Sequence, residues 1–361
     1  MALKSKLLLC FIICTLFSGC TTLGAKALPA DRQAYNKAIS QSSNNQLLLN
    51  IVRLSYTEPA FFLNVDNIAA QLEFQSRLEG GYGYEKDSII RSLYEAQGKV
   101  AYIEKPTISY TPLQGEVFTR RMLTPIDFND LFILLRSGWS FARVFRVAVS
   151  HFGYMKNAAI ASAPMTTYVP TYQHFVAFVH IIRRLQRSNG VYFSIDHMKK
   201  RVEIVINFSS QHHYQASINK AFRILGIHGH PTKLRLVRSS MPGIKGNIIR
   251  VRTRSLLGVL YYLSKGVTIP LADKKHGDVI ITRYPNGKIF NWYPVMHNVI
   301  DIRYAWRKPY NAAEWAYYHH HWFYISNKDY ESKITIDMVQ LLFDLLADSV
   351  PVNKPVLTVA V

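Results

Sequence analysis

From Asp31 to Tyr56 the apolar residues Ile39, Leu47, Ile51 and Leu54 recur near helical spacing, and Asp31 stands where a capping residue belongs. The polar stretch Ser40–Asn45 interrupts that pattern, so two shorter helices are an alternative. Pro59 closes the segment, and 60–65 reads as extended, as does Val100–Tyr110 around Pro106. Between Pro125 and Phe152 two helices are predicted, with a break at Ser137-Gly138. The clearest helix runs from Pro170 to Ser188, where Tyr172, Phe175, Val179, Ile182 and Leu185 form one stripe and Asn189-Gly190 stops it. A hairpin follows (Val191–Ile195 and Arg201–Phe208), then a helix (Tyr214–Leu225) and strands at Lys233–Val237 and Asn247–Val251. Arg254–Ser264 is read as helical, the neighbourhoods of Val279–Ile281, Val299–Tyr304 and Trp315–Ile325 as strands, and Thr335–Leu346 as a last helix.

Helices alternate with hairpins here, not with single strands. The fold class predicted is α+β, helices packed on antiparallel or mixed sheets, with an N-terminal signal peptide and tether outside the fold. The expected division is 1–19 signal peptide, 20–30 lipidated tether, 31–115 helical and extended region, and 116–361 α+β domain. A further division is a candidate near the small, polar stretch 158–170.

The N-terminus changes the picture from fold to address. Lys4 and Lys6 precede an apolar run of eleven residues, Leu7–Phe17, broken only by Thr15. That is short of the roughly 20 needed to cross a bilayer and suits the core of a secretory signal. Phe17-Ser18-Gly19-Cys20 looks like a bacterial lipobox, with Phe17 in place of the usual Leu, and makes Cys20 the expected lipid attachment site. An ordinary signal peptide with an incidental cysteine, or an uncleaved anchor helix, is the plainer alternative. Thr21, where Asp would favour inner-membrane retention, implies the periplasmic face of the outer membrane. The other cysteines, Cys10 and Cys14, fall inside the signal, so the mature chain is expected to carry no disulfide and no thiol nucleophile.

Among 361 residues, 49% apolar and 18% charged, Lys+Arg exceed Asp+Glu by 43 to 23. The composition is globular and excludes a disordered chain. Arg183–Arg254 alone holds 15 Lys+Arg against Asp196 and Glu203. Lys233 and Arg235 alternate, as do Arg250, Arg252 and Arg254, so on strands each set shares a face. These five residues are the candidate anion- or partner-binding site. An unselected basic surface is the blander reading. Nucleic acid is disfavoured, because no DNA- or RNA-binding motif accompanies the charge and the signal sends the chain outward.

Catalytic and cofactor motifs are missing. Ser217-x-x-Lys220 lacks the companion Lys-Thr-Gly of penicillin-binding enzymes, and Gly80–Gly83 lacks the context of a dinucleotide loop. The clusters His212-His213, His228-Gly-His230 and His319–His321 have no carboxylate at a helpful local spacing, and on one strand only His319 and His321 could share a side. No metal and no cofactor are expected. Nine aromatics between Tyr304 and Tyr324 suit either a sheet core or a surface for sugars or protein.

Several stretches also go together. They are Asp31–Asn36 with Gln46–Leu54, Tyr110–Gly115, Arg254–Leu257 with Tyr261–Leu263, Trp322–Ile325 with Asp329 and Ser332-Lys333, and Pro355–Thr358. This pattern resembles a family of uncharacterised bacterial outer-membrane lipoproteins and spans most of the mature chain. The resemblance implies location and no catalytic residue. Lipoproteins of this size also serve in envelope-spanning secretion machines, an analogy of class alone.

The function expected is therefore a non-enzymatic, lipid-anchored binding or scaffold component of an envelope assembly. Its partners would be membrane lipid through Cys20, and other envelope proteins or anionic polymers through the basic segment. The alternative is a cell-wall or glycan-active enzyme with carboxylates from distant segments, such as Asp301, Glu314 or Asp329, and a small-ligand carrier is a third reading.

Overall fold

A computed structural model describes residues 23–79, 97–164, 168–198 and 201–347. Cys20 and the signal peptide lie outside the described residues, as do the glycine-rich loop expected at 80–84 and Pro355–Thr358. The fold is α+β, as the patterning predicts.

Helix α1 runs from Leu23 to Ser55 without a break. It continues through Ser40–Asn45 because that stretch, though polar, holds no Gly or Pro. It also takes in residues 23–30, expected as a tether. Ala, Leu and Lys there are strong helix formers. Its last two turns bury Leu47, Leu48, Ile51, Val52 and Leu54.

The chain forms two units, one of residues 61–113 and one of residues 1–60 with 114–361. The edge at 113/114 lies close to the boundary expected at 115/116, but residues 31–60 group with 114–361 and not with the ribbon. The smaller unit is a two-stranded antiparallel ribbon, β1 (Phe62–Glu79) and β2 (Gln97–Leu113), in register from Phe62↔Leu113 to Glu79↔Gln97. Helix α1 belongs with the larger unit, and 158–170 falls inside that unit.

In the larger unit, α2 (Glu116–Leu123), α3 (Phe128–Arg136) and α4 (Phe141–Ala148) lead into β3 (Val149–Phe152) and β4 (Met155–Lys156). Then come α5 (Gln173–Arg187), β5 (Val191–Met198), β6 (Arg201–Phe208) and α6 (His212–Leu225). Strands β7 (Lys233–Arg238), β8 (Gly243–Lys245) and β9 (Ile248–Thr253) complete a sheet ordered β4-β3-β9-β7-β6-β5, with β8 beside β9. The β7/β9 pair is parallel and the others antiparallel.

One face of this sheet is apolar. Ile204, Ile206, Leu234, Leu236, Ile249 and Val251 are fully buried there. Helices cover it through aromatic contacts: Phe141 of α4 stacks on Phe193 at 5.3 Å, Phe178 of α5 lies 4.9 Å from Phe152, and Phe222 of α6 lies 5.1 Å from Phe208. Each such ring contributes about 1.5–3 kcal/mol by leaving water.

Helices α7 (Leu256–Leu263), α8 (Leu271–His276) and α9 (Tyr293–Met296) precede a second sheet. It is ordered β10 (Arg303–Ala305), β12 (His321–Ser326), β11 (Ala312–Tyr318), and α10 (Tyr330–Ala347) follows. Three expectations are corrected here. Trp315–Ile325 is a hairpin and not one strand, because His319 and His320 take left-handed backbone, φ 44° and 64°. Of Val299–Tyr304 only the end joins a strand, and Val279–Ile281 joins none. The last helix starts at Tyr330, five residues early, because the Asp329 carboxylate accepts from the Ser332 N–H at 3.1 Å and caps it.

Candidate functional site

Strand alternation places side chains of one parity on the helix-covered face and the other parity opposite. Register carries the second set across five strands: Asn207↔Lys233, Val205↔Arg235, Arg235↔Ile248, Val237↔Arg250, His151↔Arg252 and His151↔Lys156. Lys245, opposite Ile248, joins them from β8. The face away from the helices therefore carries Lys156, Lys233, Arg235, Lys245, Arg250 and Arg252. All but Arg235 are exposed.

Among the described residues two acids share that face. Glu203 accepts from Arg235 Nε at 2.7 Å, and Asp196 lies 3.7 Å from Arg235 Nη2. Both acids are thus engaged with the one arginine that is half-buried. Arg252 donates through Nε to the Ser240 carbonyl at 3.0 Å, which fixes its stem and leaves its charge unneutralised. His151, half-buried among these cations, has its pKa pushed down to about 4, first by burial and then by Arg252 and Lys156.

Arg254 does not belong to this face. Strand β9 ends at Thr253, so alternation no longer governs the next residue. Its guanidinium is buried and donates to the carbonyls of Arg146, Val147, Val149 and Asn157 and to Ser162 Oγ. It also sits 4.0 Å over the Tyr262 ring. Arg254 is a structural clamp. Lys156 and Lys245, which do belong, lie on two- and three-residue strands whose pairing no local pattern announces.

A cleft of about 860 Å³ lies elsewhere in the larger unit, between the segments 264–269 and 279–301 and the start of α10. Asp301 and Asp329 both line it, joined by Ser332: the Asp301 N–H donates to Ser332 Oγ at 2.8 Å, and that hydroxyl donates to Asp329 at 2.5 Å. Glu314 does not join them. It is buried on β11, and burial, then the Asp337 charge, raises its pKa. Lys265 also lines the cleft, and burial lowers its pKa to about 8.

The second sheet buries Phe323 and Ile325 on one side and leaves Trp315 and Trp322 half-buried and Tyr317 exposed on the other. There Trp322 lies 5.4 Å from Trp315 and 5.1 Å from Tyr317. The Lys308 ammonium stands 3.7 Å over Trp315. His319 and His321 do not share a strand face. His319 is in the turn, stacked on Tyr56 at 4.5 Å, and His321 is buried. His230 pairs with Asn219 at 2.9 Å. Among the described residues no three His, Cys, Asp or Glu side chains are grouped to hold a metal ion, and no helix is long and apolar enough to cross a membrane.

Comparison of the chain with known protein families, with curated proteins and with solved structures finds no match in any of the three.

Proposed function

We propose that this is a lipid-anchored periplasmic protein of the outer membrane that acts by binding, docking an acidic segment of another envelope protein on its basic sheet face. The observation that carries the reading is the imbalance on that face. Lys156, Lys233, Lys245, Arg250 and Arg252 stand exposed, while Asp196 and Glu203 are both taken up by Arg235. Exposed like charges held on a rigid sheet repel one another and attract an acidic partner over a Debye length, about 8 Å at physiological salt. Such a field speeds encounter and fixes orientation more than it adds affinity. The pKa of His151, lowered first by burial, is pushed further down by Arg252 and Lys156, which is consistent with that field. The address rests on the lipobox-like Phe17–Cys20 and on the resemblance to outer-membrane lipoproteins.

Poly-L-glutamate is the probe for the face, titrated onto the full chain in mild detergent at about 20 mM and about 150 mM salt. Arg250→Glu with Arg252→Glu should weaken binding at least about tenfold at the lower salt and leave the fold intact. Equal binding by both forms at both salts would remove the docking claim. Stronger binding to phosphatidylglycerol vesicles than to poly-L-glutamate would transfer the face from protein to lipid. For the address, Cys20→Ser should release the chain from the membrane fraction or stall it as precursor.

A further inference from the structure

The 860 Å³ cleft is far from saturated by its own side chains, and it has two unsatisfied features of opposite kind. The first is a cation with no acid paired to it among the described residues. Lys265 lies in the short turn after α7, and burial is the one cause that acts on its pKa. The three acids of the cleft are engaged elsewhere. Asp301 pairs with Arg303 at 2.8 Å, Asp329 takes the Ser332 hydroxyl, and Glu331 pairs with Arg143 and, at 3.8 Å, with Arg183. The remaining cations, Lys274 and Lys328, are exposed at the rim, where water solvates them. His297 is exposed there too. A half-desolvated ammonium with no acid beside it is costly and stays so until an anion arrives.

The second feature is apolar wall left in water. Ile280 and Ile289 line the cleft and are 38% and 51% exposed. Ile269, Ile281, Met296 and Ile300 continue the same lining inward. Val279–Ile281 is the run that reads as a strand yet pairs with nothing; its apolar side chains serve the cleft.

We infer that the cleft binds an aliphatic monocarboxylate, its carboxylate set against Lys265 and its chain laid along the isoleucine wall. One ligand then answers both features, covering apolar surface and supplying one negative charge to one half-buried cation. A doubly charged phosphate fits less well, because Arg303, the one guanidinium in the lining, is already held by Asp301. The volume is in the range of sites for small organic ligands, roughly 300–1,000 Å³. This site shares no residue with the basic sheet face, so either can fail without the other.

The test compares octanoate with 1-octanol by calorimetric titration of the full chain, wild type and Lys265→Met, against a detergent blank. Wild type should prefer octanoate by at least about tenfold, and Lys265→Met should lose that preference while binding octanol as before. From pH 7 to 9.5 wild-type affinity for octanoate should fall as Lys265 loses its proton, with octanol unchanged. Equal affinity for the two probes in wild type, or binding of neither, overturns the inference, and so does a preference that survives Lys265→Met. Should Lys265→Met not fold, the wild-type pH profile decides: a flat octanoate curve overturns the site.

Discussion

Arg252 and Arg254 are two residues apart and chemically identical, yet one is solvated and the other is enclosed by four carbonyls, a hydroxyl and an aromatic ring. Truncation should tell them apart. Arg254→Met leaves several buried acceptors unpaired at about 1–3 kcal/mol each, not fully additive, so a loss on the order of 4 kcal/mol is expected in urea unfolding. Arg252→Met should cost under about 0.5 kcal/mol. The shared face of Lys233, Arg235, Arg250 and Arg252 was legible because alternation is a local property of strands. The fate of Arg254 was not, since residue spacing does not mark the last ladder pair. His151 gives a second residue-scale prediction. Its proton binds below about pH 4 in the folded chain and near 6.5 in the unfolded one. Between those values the unfolded chain takes up a proton that the folded chain refuses, so stability is full above pH 6.5 and falls as pH drops toward 4. His180, also lowered by burial, acts in the same direction. With partial exposure discounted, His151 should contribute about 1–2 kcal/mol of that loss. Unfolding at pH 7.0 and 4.5 should show it, and His151→Gln should reduce it.

At the scale of elements, the hairpin β11–β12 turns on two histidines in left-handed backbone. No Asn-Gly or Gly-Gly pair announces a turn there, and the aromatic run on either side reads as one strand. His319 is held by stacking on Tyr56 and by Glu58 at 3.3 Å, but His320 is exposed and its conformation is one that glycine adopts freely. His320→Gly should therefore stabilise the chain by about 0.5–1 kcal/mol, read as a higher urea midpoint with unchanged slope. A drop in stability would mean that the imidazole makes a contact worth more than the backbone strain. The helices were legible where an apolar stripe repeats, as in α5. The start of α10 was missed although Asp329 and Ser332 carry a capping pattern, because the apolar repeat begins only later. Val279–Ile281 misled for the opposite reason. Its apolar residues face a cleft instead of a core, and composition does not separate the two.

For the whole molecule, the α+β class followed from the order of elements, but their grouping did not. Helix α1 packs into the unit formed by 114–361: Leu47, Leu48, Ile51, Val52 and Leu54 are buried, and Asn45 accepts from the Trp315 N–H at 2.9 Å. That contact spans 270 residues, and local pattern is blind to it. The rest of α1 is different. From Arg32 to Ser43 its side chains are exposed or half-exposed, none of them buried. At 1.5 Å per residue, the 21 helical residues from Leu23 to Ser43 extend roughly 32 Å. Were Cys20 acylated as proposed, a shaft of this length would act as a ruler, able to set the basic face up to four screening lengths, about 8 Å each, from the lipid headgroups, beyond the reach of membrane charge. Removing Lys37–Ser43, about two turns, keeps the helical face nearly in phase and should leave the unfolding midpoint unchanged. What it should alter is which envelope proteins cross-link to Arg250 and Arg252, because the chain would then reach a different depth of the periplasm.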